Sequence, residues 1–151
     1  MKSVQMTKGR VFVLTLDSGE NIKSEIEGFC KDQNIVSAKI TILGGVEAGS
    51  TFVCGPKLID GHPTEPIVPT TYTTDAPTEM AAVGTVFPDE KGNSVMHLHG
   101  SLGRNGSSST GCFRDQMVAW LTLEVIIEEL TGAGPVRKHD SVTGVSPLFI
   151  E

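Results

Sequence analysis

Apolar positions in this chain fall mostly into short runs that alternate with polar ones, the spacing of half-buried strands. Arg10 to Leu16 (RVFVLTL) predicts a first strand. The period then changes. Ile22, Ile26, Phe29 and Cys30 fall at i, i+4, i+7 and i+8, one apolar face of a helix that ends near Asn34, and Asp17 with Glu20 has capping-box spacing at its start. Cys30 belongs to that face and reads as core. Ile35 to Leu43 is rich in β-branched residues and predicts a strand that Gly44-Gly45 ends or bends. Val46, Ala48, Ser50, Phe52 and Cys54 alternate, which predicts a further strand with Cys54 on its buried side. Gly55 to Pro69 reads as a loop and Thr70 to Thr74 as an edge strand.

Glu79 to Phe87 and Ser94 to Leu102 flank PDEKGN, a turn by composition, and so predict a hairpin. Arg104 to Gly111 reads as a Gly/Ser-rich loop. Met117 to Leu130 is the most apolar run and predicts a long buried strand, with a helix competing for its end (EVIIEEL). The last twenty residues read as a loop-rich tail with a short apolar piece, Pro147 to Ile150. One early helix followed by many strands predicts an α+β domain around a mostly antiparallel sheet. A length of 151 residues fits a single domain over 1–151, with its core at about 9–130 and its tail at 131–151.

Charge narrows the function. The net charge is −6, and the twelve basic residues are scattered. Binding DNA requires clustered Lys and Arg to replace phosphate counterions, so direct DNA binding by the isolated chain is disfavoured. The N-terminal apolar run is too short for a signal peptide, and no stretch approaches a membrane span. Cys30, Cys54 and Cys112 are odd in number and far apart, so the expected compartment is a reducing cytoplasm.

The chemistry concentrates in HLHGSLGRNGSSSTGC, residues 97 to 112. In a strand, His97 and His99 project from one face, about 6.6 Å apart along the chain, while Met96, Leu98 and Leu102 face a core. Two imidazoles on one face can converge on a cation, and the Cys112 thiolate can add a third ligand suited to zinc, copper or iron. The same residues also fit two polar histidines on a half-exposed sheet face and a small buried cysteine. His62 and His139 fall in loops and read as solvated. Glu124, inside an apolar run, reads as a solvent-face residue or as a buried acid paired with a base such as Arg10. Ser107 to Ser109 lack a G-x-S-x-G context, and the glycines match neither a dinucleotide fingerprint nor a P-loop.

The order and spacing of several segments resemble the plants-and-prokaryotes-conserved (PPC) domain in its stand-alone prokaryotic form. The segments are GRVFVLTLDSGENIKSEIEGFCKDQNI, ILGGVEAGSTF, EMAAVGTVFPDEKGNSVMHLHGSLGR, TGCF…TLEVII and RKHDSVTGVSPLFI, nearly the whole chain. The resemblance implies an α+β fold, a homotrimer, and a three-histidine metal site built from an H-x-H strand and a Gly-Gly-His segment. His97 and His99 match the first, and Thr110 to Phe113 match the second with Cys112 in place of the third histidine. That departure either makes a His2Cys site with an open position or marks a lost one. Arg10 and Glu124 match recurrent family positions and are candidates for a structural ion pair. The family carries a DNA-binding label, but the Arg-Gly-Arg core of the plant members' AT-hook does not occur here.

Three functions follow as expectations. The first is a trimeric module that binds a divalent transition metal, zinc before others, or a small-molecule ligand, and acts in regulation. The second is a metal-dependent enzyme whose open coordination position holds water, with Glu79, Glu124 or Arg104 as candidate assistants. The third is DNA binding through a trimer surface.

Overall fold

The computed structural model describes all 151 residues. Its elements in chain order are β1 (Thr7–Asp17), α1 (Ile22–Asp32), β2 (Ala38–Val46), β3 (Thr51–Pro56), β4 (Leu58–Ile59), β5 (His62–Pro63), β6 (Pro69–Thr73), β7 (Thr78–Pro88), β8 (Ser94–Arg104), β9 (Ser107–Phe113), β10 (Ala119–Thr131), β11 (Val136–Arg137) and β12 (Leu148–Phe149). Eight strands form one antiparallel sheet in the order β1-β10-β2-β7-β8-β9-β3-β6. The α+β expectation holds. No helix is long and apolar enough to cross a membrane.

One face of the sheet carries the core and α1. Ile40, Ile42, Val86, Leu98, Phe113, Val125 and Ile127 point inward from the strands, and Ile22, Ile26 and Cys30 meet them from the helix. The helix begins later than the capping-box spacing suggests. Asn21 is its N-cap, with Oδ1 accepting from the Ser24 N–H at 3.0 Å. Glu20 does reach back to the Asp17 N–H, at 2.8 Å, but it closes the turn after β1 instead. Glu27 on α1 accepts from the Met96 N–H at 2.8 Å, which ties the helix to β8.

Several local expectations are corrected. Gly44-Gly45 bends the chain without ending it, and β2 runs on to Val46. Gly44 has φ +132°, and a Cβ there would lie 2.5 Å from the Thr122 carbonyl, where the register of β10 shifts between Trp120 and Leu123. Cys54 is exposed, because it is the extra residue of a bulge between Val53 and Gly55 on the edge hairpin with β6. The expected loop at 104–111 is the turn and second arm of a hairpin. Asn105 and Gly106 both have positive φ (52° and 77°) and join β8 directly to β9. The end of β10 is strand throughout. Within the C-terminal tail, β11 pairs with β12, and Lys138 Nζ sits 3.8 Å above the Phe149 ring.

The proposed Arg10–Glu124 pair does not form. Arg10 lies in a register shift between Lys8 and Val11 that sets it against Glu129, while Glu124 sits opposite Thr15, about 16 Å further along β1. Arg10 grips Glu129 with both ends of its fork, Nε at 2.7 Å and Nη2 at 2.8 Å, and its Nη2 also donates to the Gln33 carbonyl at 3.0 Å. This joins β1, β10 and the end of α1.

Two outcomes follow. Leu98 is fully buried, so Leu98→Ala should lower unfolding free energy by about 2–5 kcal/mol in urea titrations. The Arg10 side-chain hydrogen bonds, then its backbone N–H, hold the Glu129 carboxyl down to about 2. The pair's stabilisation is therefore complete above the unfolded carboxyl value of about 4.3 and is lost as pH falls toward the folded one. The stability gap between wild type and Glu129→Gln should be full at neutral pH and shrink steadily below pH ~4, and a gap independent of pH would contradict this assignment.

Candidate metal centre

The alternation of β8 separates core from site. Met96, Leu98 and Leu102 enter the core, and His97 and His99 stand on the open face of the sheet. Their Nε2 atoms lie 2.9 Å apart, with the rings nearly perpendicular at 89°. The hairpin brings β9 alongside so that Cys112 is directly opposite His99. Cys112 is 7 % exposed, walled on its other side by Val53 of β3. The three side chains offer ligand atoms that all lie within 4.8 Å of one another.

This donor set fits a divalent transition metal. Ligand atoms around tetrahedral zinc are separated by about 3.3–3.6 Å, given bonds of about 2.0–2.1 Å to nitrogen and about 2.3 Å to sulfur. The two imidazole nitrogens already converge to slightly less than that. A metal-binding imidazole must be neutral, and His97 meets this condition. Partial burial of the imidazole, then repulsion from Arg137, His99 and Arg114, push its pKa down to about 4. Three protein ligands leave one coordination position open.

The other candidates lie elsewhere. Glu79 sits opposite Gly103, four positions along β7 from Val83, the residue that faces His99. Glu124 lies three strands away on β10. Arg104 donates to the Pro77 carbonyl at 2.7 Å. His62 and His139 are exposed.

Two arginines that belong to no sequence motif border the site. Arg137, 6 % exposed, reaches in from β11 and donates from Nη2 to Thr85 Oγ1 at 3.1 Å. Arg114 follows β9. Both line, with His97, Thr85 and the Gly144–Leu148 segment, a cleft of about 650 Å³. No periodicity marks these residues, since the tail that delivers Arg137 is irregular. Their one sequence signal is position: Arg114 lies two residues after Cys112, and Arg137 opens the RKHDSVTG segment.

With this geometry in view, comparison with known proteins gives a consistent result. The family model of the Plants and Prokaryotes Conserved domain matches residues 3–131. The fold is similar to that of a metal-containing protein from Archaeoglobus fulgidus, with TM-score 0.82 and 23% identity, over 99% of this chain and 100% of that one. A plant- and prokaryote-conserved protein from Pyrococcus horikoshii gives TM-score 0.74 and 18% identity, over 99% and 100%. A "putative DNA-binding protein" from Ralstonia eutropha gives 0.68 and 20%, over 92% and 90%. A search of curated proteins finds no significant match.

The placement of Cys112 depends on close approach of β9 to β3. A Cβ at Gly111 would lie 2.3 Å from the Val53 carbonyl oxygen and 2.6 Å from the Phe52 ring. Gly111→Ala should therefore destabilise the fold by about 1–3 kcal/mol, the usual cost of overpacking. Gly103→Ala, with no atom nearer than 3.7 Å to its Cβ, should be close to neutral in the same urea titration.

Proposed function

The chain belongs to the Plants and Prokaryotes Conserved domain family, matched over residues 3–131, and on that premise we propose that it is a homotrimeric metal-binding module. His97, His99 and Cys112 hold the ion, and the open position takes a small ligand or a donor from a partner. The observation that carries this reading is the convergence of two imidazoles and a thiol from neighbouring strands within 4.8 Å. Zinc suits the set best, since it accepts nitrogen and thiolate together in a tetrahedral site. The relative from Archaeoglobus fulgidus, described as metal-containing, adds support. Replacing the family's third histidine by Cys112 keeps a ligand at that position and makes the site softer.

Assembly is supported by the open face of the sheet. Val11, Val13, Leu43, Val83 and Ile126 are all substantially exposed there, Val13 at 75 %. Val13 pairs with Ile126, and Val83 pairs with His99, so the apolar surface continues to the edge of the site.

Binding is favoured over catalysis, because none of Glu79, Glu124 or Arg104 reaches the three ligands to act as acid or base. Direct DNA binding is disfavoured because several basic side chains are already paired with acids. Lys8 and Lys39 share Glu128, Arg10 holds Glu129, and Lys23 holds Asp115.

Elemental mass spectrometry of the purified protein should find about one zinc per chain, and Cys112→Ala, folded by circular dichroism, should lose most of it. A wild-type protein that stays metal-free after zinc is supplied and the excess removed would end this reading. Light scattering should give three chains of 16.0 kDa, about 48 kDa.

A further inference from the structure

The cleft beside His97 contains a charge imbalance that the metal ligands do not explain. Arg137 is buried, yet it takes part in no ion pair, and its Nε finds no hydrogen-bond acceptor. Its only side-chain bond is to the neutral hydroxyl of Thr85. A buried guanidinium without a counter-charge is strongly disfavoured, so such a group points to an anion that completes it. Arg114 lines the same cleft and is likewise in no ion pair.

The chain has eighteen acidic residues, and none lines this cleft. The nearby carboxylates are committed elsewhere. Asp89, bridged to Arg137 through the backbone, turns its carboxylate to the Lys91 and Asn93 N–H groups. Asp115, next to Arg114, binds Lys23. Glu90 accepts from the His139 N–H. Among ionisable groups, only the Cys112 thiol acts on Arg137 with opposing charge, and a bound cation would share it.

We propose that Arg137 and Arg114 form an oxyanion subsite that binds the phosphate or carboxylate group of a small ligand next to the His97–His99–Cys112 site. The guanidinium fork offers parallel N–H donors matched to two oxygens of either group. A volume of about 650 Å³ accommodates a small metabolite, with Thr85 and the Gly144–Leu148 segment as walls. The proposal deepens the metal-binding reading by naming the charge of the ligand, and it rests on that reading only for what lies at the other end of the cleft.

The test uses the whole 151-residue chain stripped of metal by chelator, so that it does not depend on the metal site. Inorganic phosphate and acetate are titrated separately by calorimetry at constant chloride, into wild type, Arg114→Gln and Arg137→Gln. At least one anion should bind saturably, and which one does so tells phosphate from carboxylate ligands. Its affinity should fall about tenfold or more in Arg114→Gln and be lost in Arg137→Gln. Arg114 is exposed, so its variant decides the matter should Arg137→Gln fail to fold. Absence of saturable binding up to about 10 mM would overturn the subsite, and so would binding that Arg114→Gln leaves unchanged. Metal content, measured in parallel before stripping, judges the metal site independently: a metal-free protein that still binds phosphate through the arginines would retain the subsite and discard the centre.

Discussion

The register of β8 between β7 and β9 is the constraint on which both the core and the site depend. Successive side chains of a strand face opposite sides, so a slip of one residue would send His97 and His99 into the core and Leu98 into solvent. Three contacts hold that register. The Asn105-Gly106 turn joins β8 to β9 without a spare residue. Glu27 of α1 binds the Met96 N–H from the core side. Gly84 and Gly100 also allow close approach of β7 and β8, since a Cβ at either would meet a carbonyl oxygen of the other strand at 2.5 Å. Once the register is set, Cys112 faces His99 by pairing geometry alone.

The electrostatics of the molecule divide along the same lines. At the β1–β10 seam, charges meet in partly exposed pairs that staple strands together, and Arg10 with Glu129 also reaches the end of the helix. In the cleft, positive charge gathers without carboxylates. Partial burial, then repulsion from Arg137, His99 and Arg114, lowers the basicity of His97 and leaves its ring neutral. An acidic chain has thus kept its acids out of the cleft beside the two imidazoles and the thiol. Two arginines in one cleft differ from the extended basic surface that a polyanion such as DNA requires.

The fold class was legible because hydrophobic periodicity reports directly on local structure. The helix at 22–32, the hairpin of β7 and β8 and the strand that begins β10 follow from it, while the end of β10 also fitted helical spacing. The errors lie where the chain breaks its own period. Cys54 sits in a bulge, and the Gly/Ser composition of β9 hid a strand whose exposed residues have no apolar partner to alternate with. The Asn-Gly pair was the available signal for that hairpin. Glu124 and Glu129 are equivalent in composition, and only the shifted register at Arg10 chooses between them.

By itself, then, the sequence determined the α+β class, the division of β8 into a core side and a histidine side, and the candidacy of His97, His99 and Cys112, because these depend on residue type and a period of two. Pairing and packing at long range decided the rest. They set Cys112 against His99, moved the ion pair of Arg10 to Glu129, and carried Arg137 from an irregular tail to a buried position beside Thr85. The physical reason is that a cross-strand neighbour or a docked tail is chosen by bulges, turns and close glycine contacts summed over the whole sheet, and no local pattern of side chains records that sum.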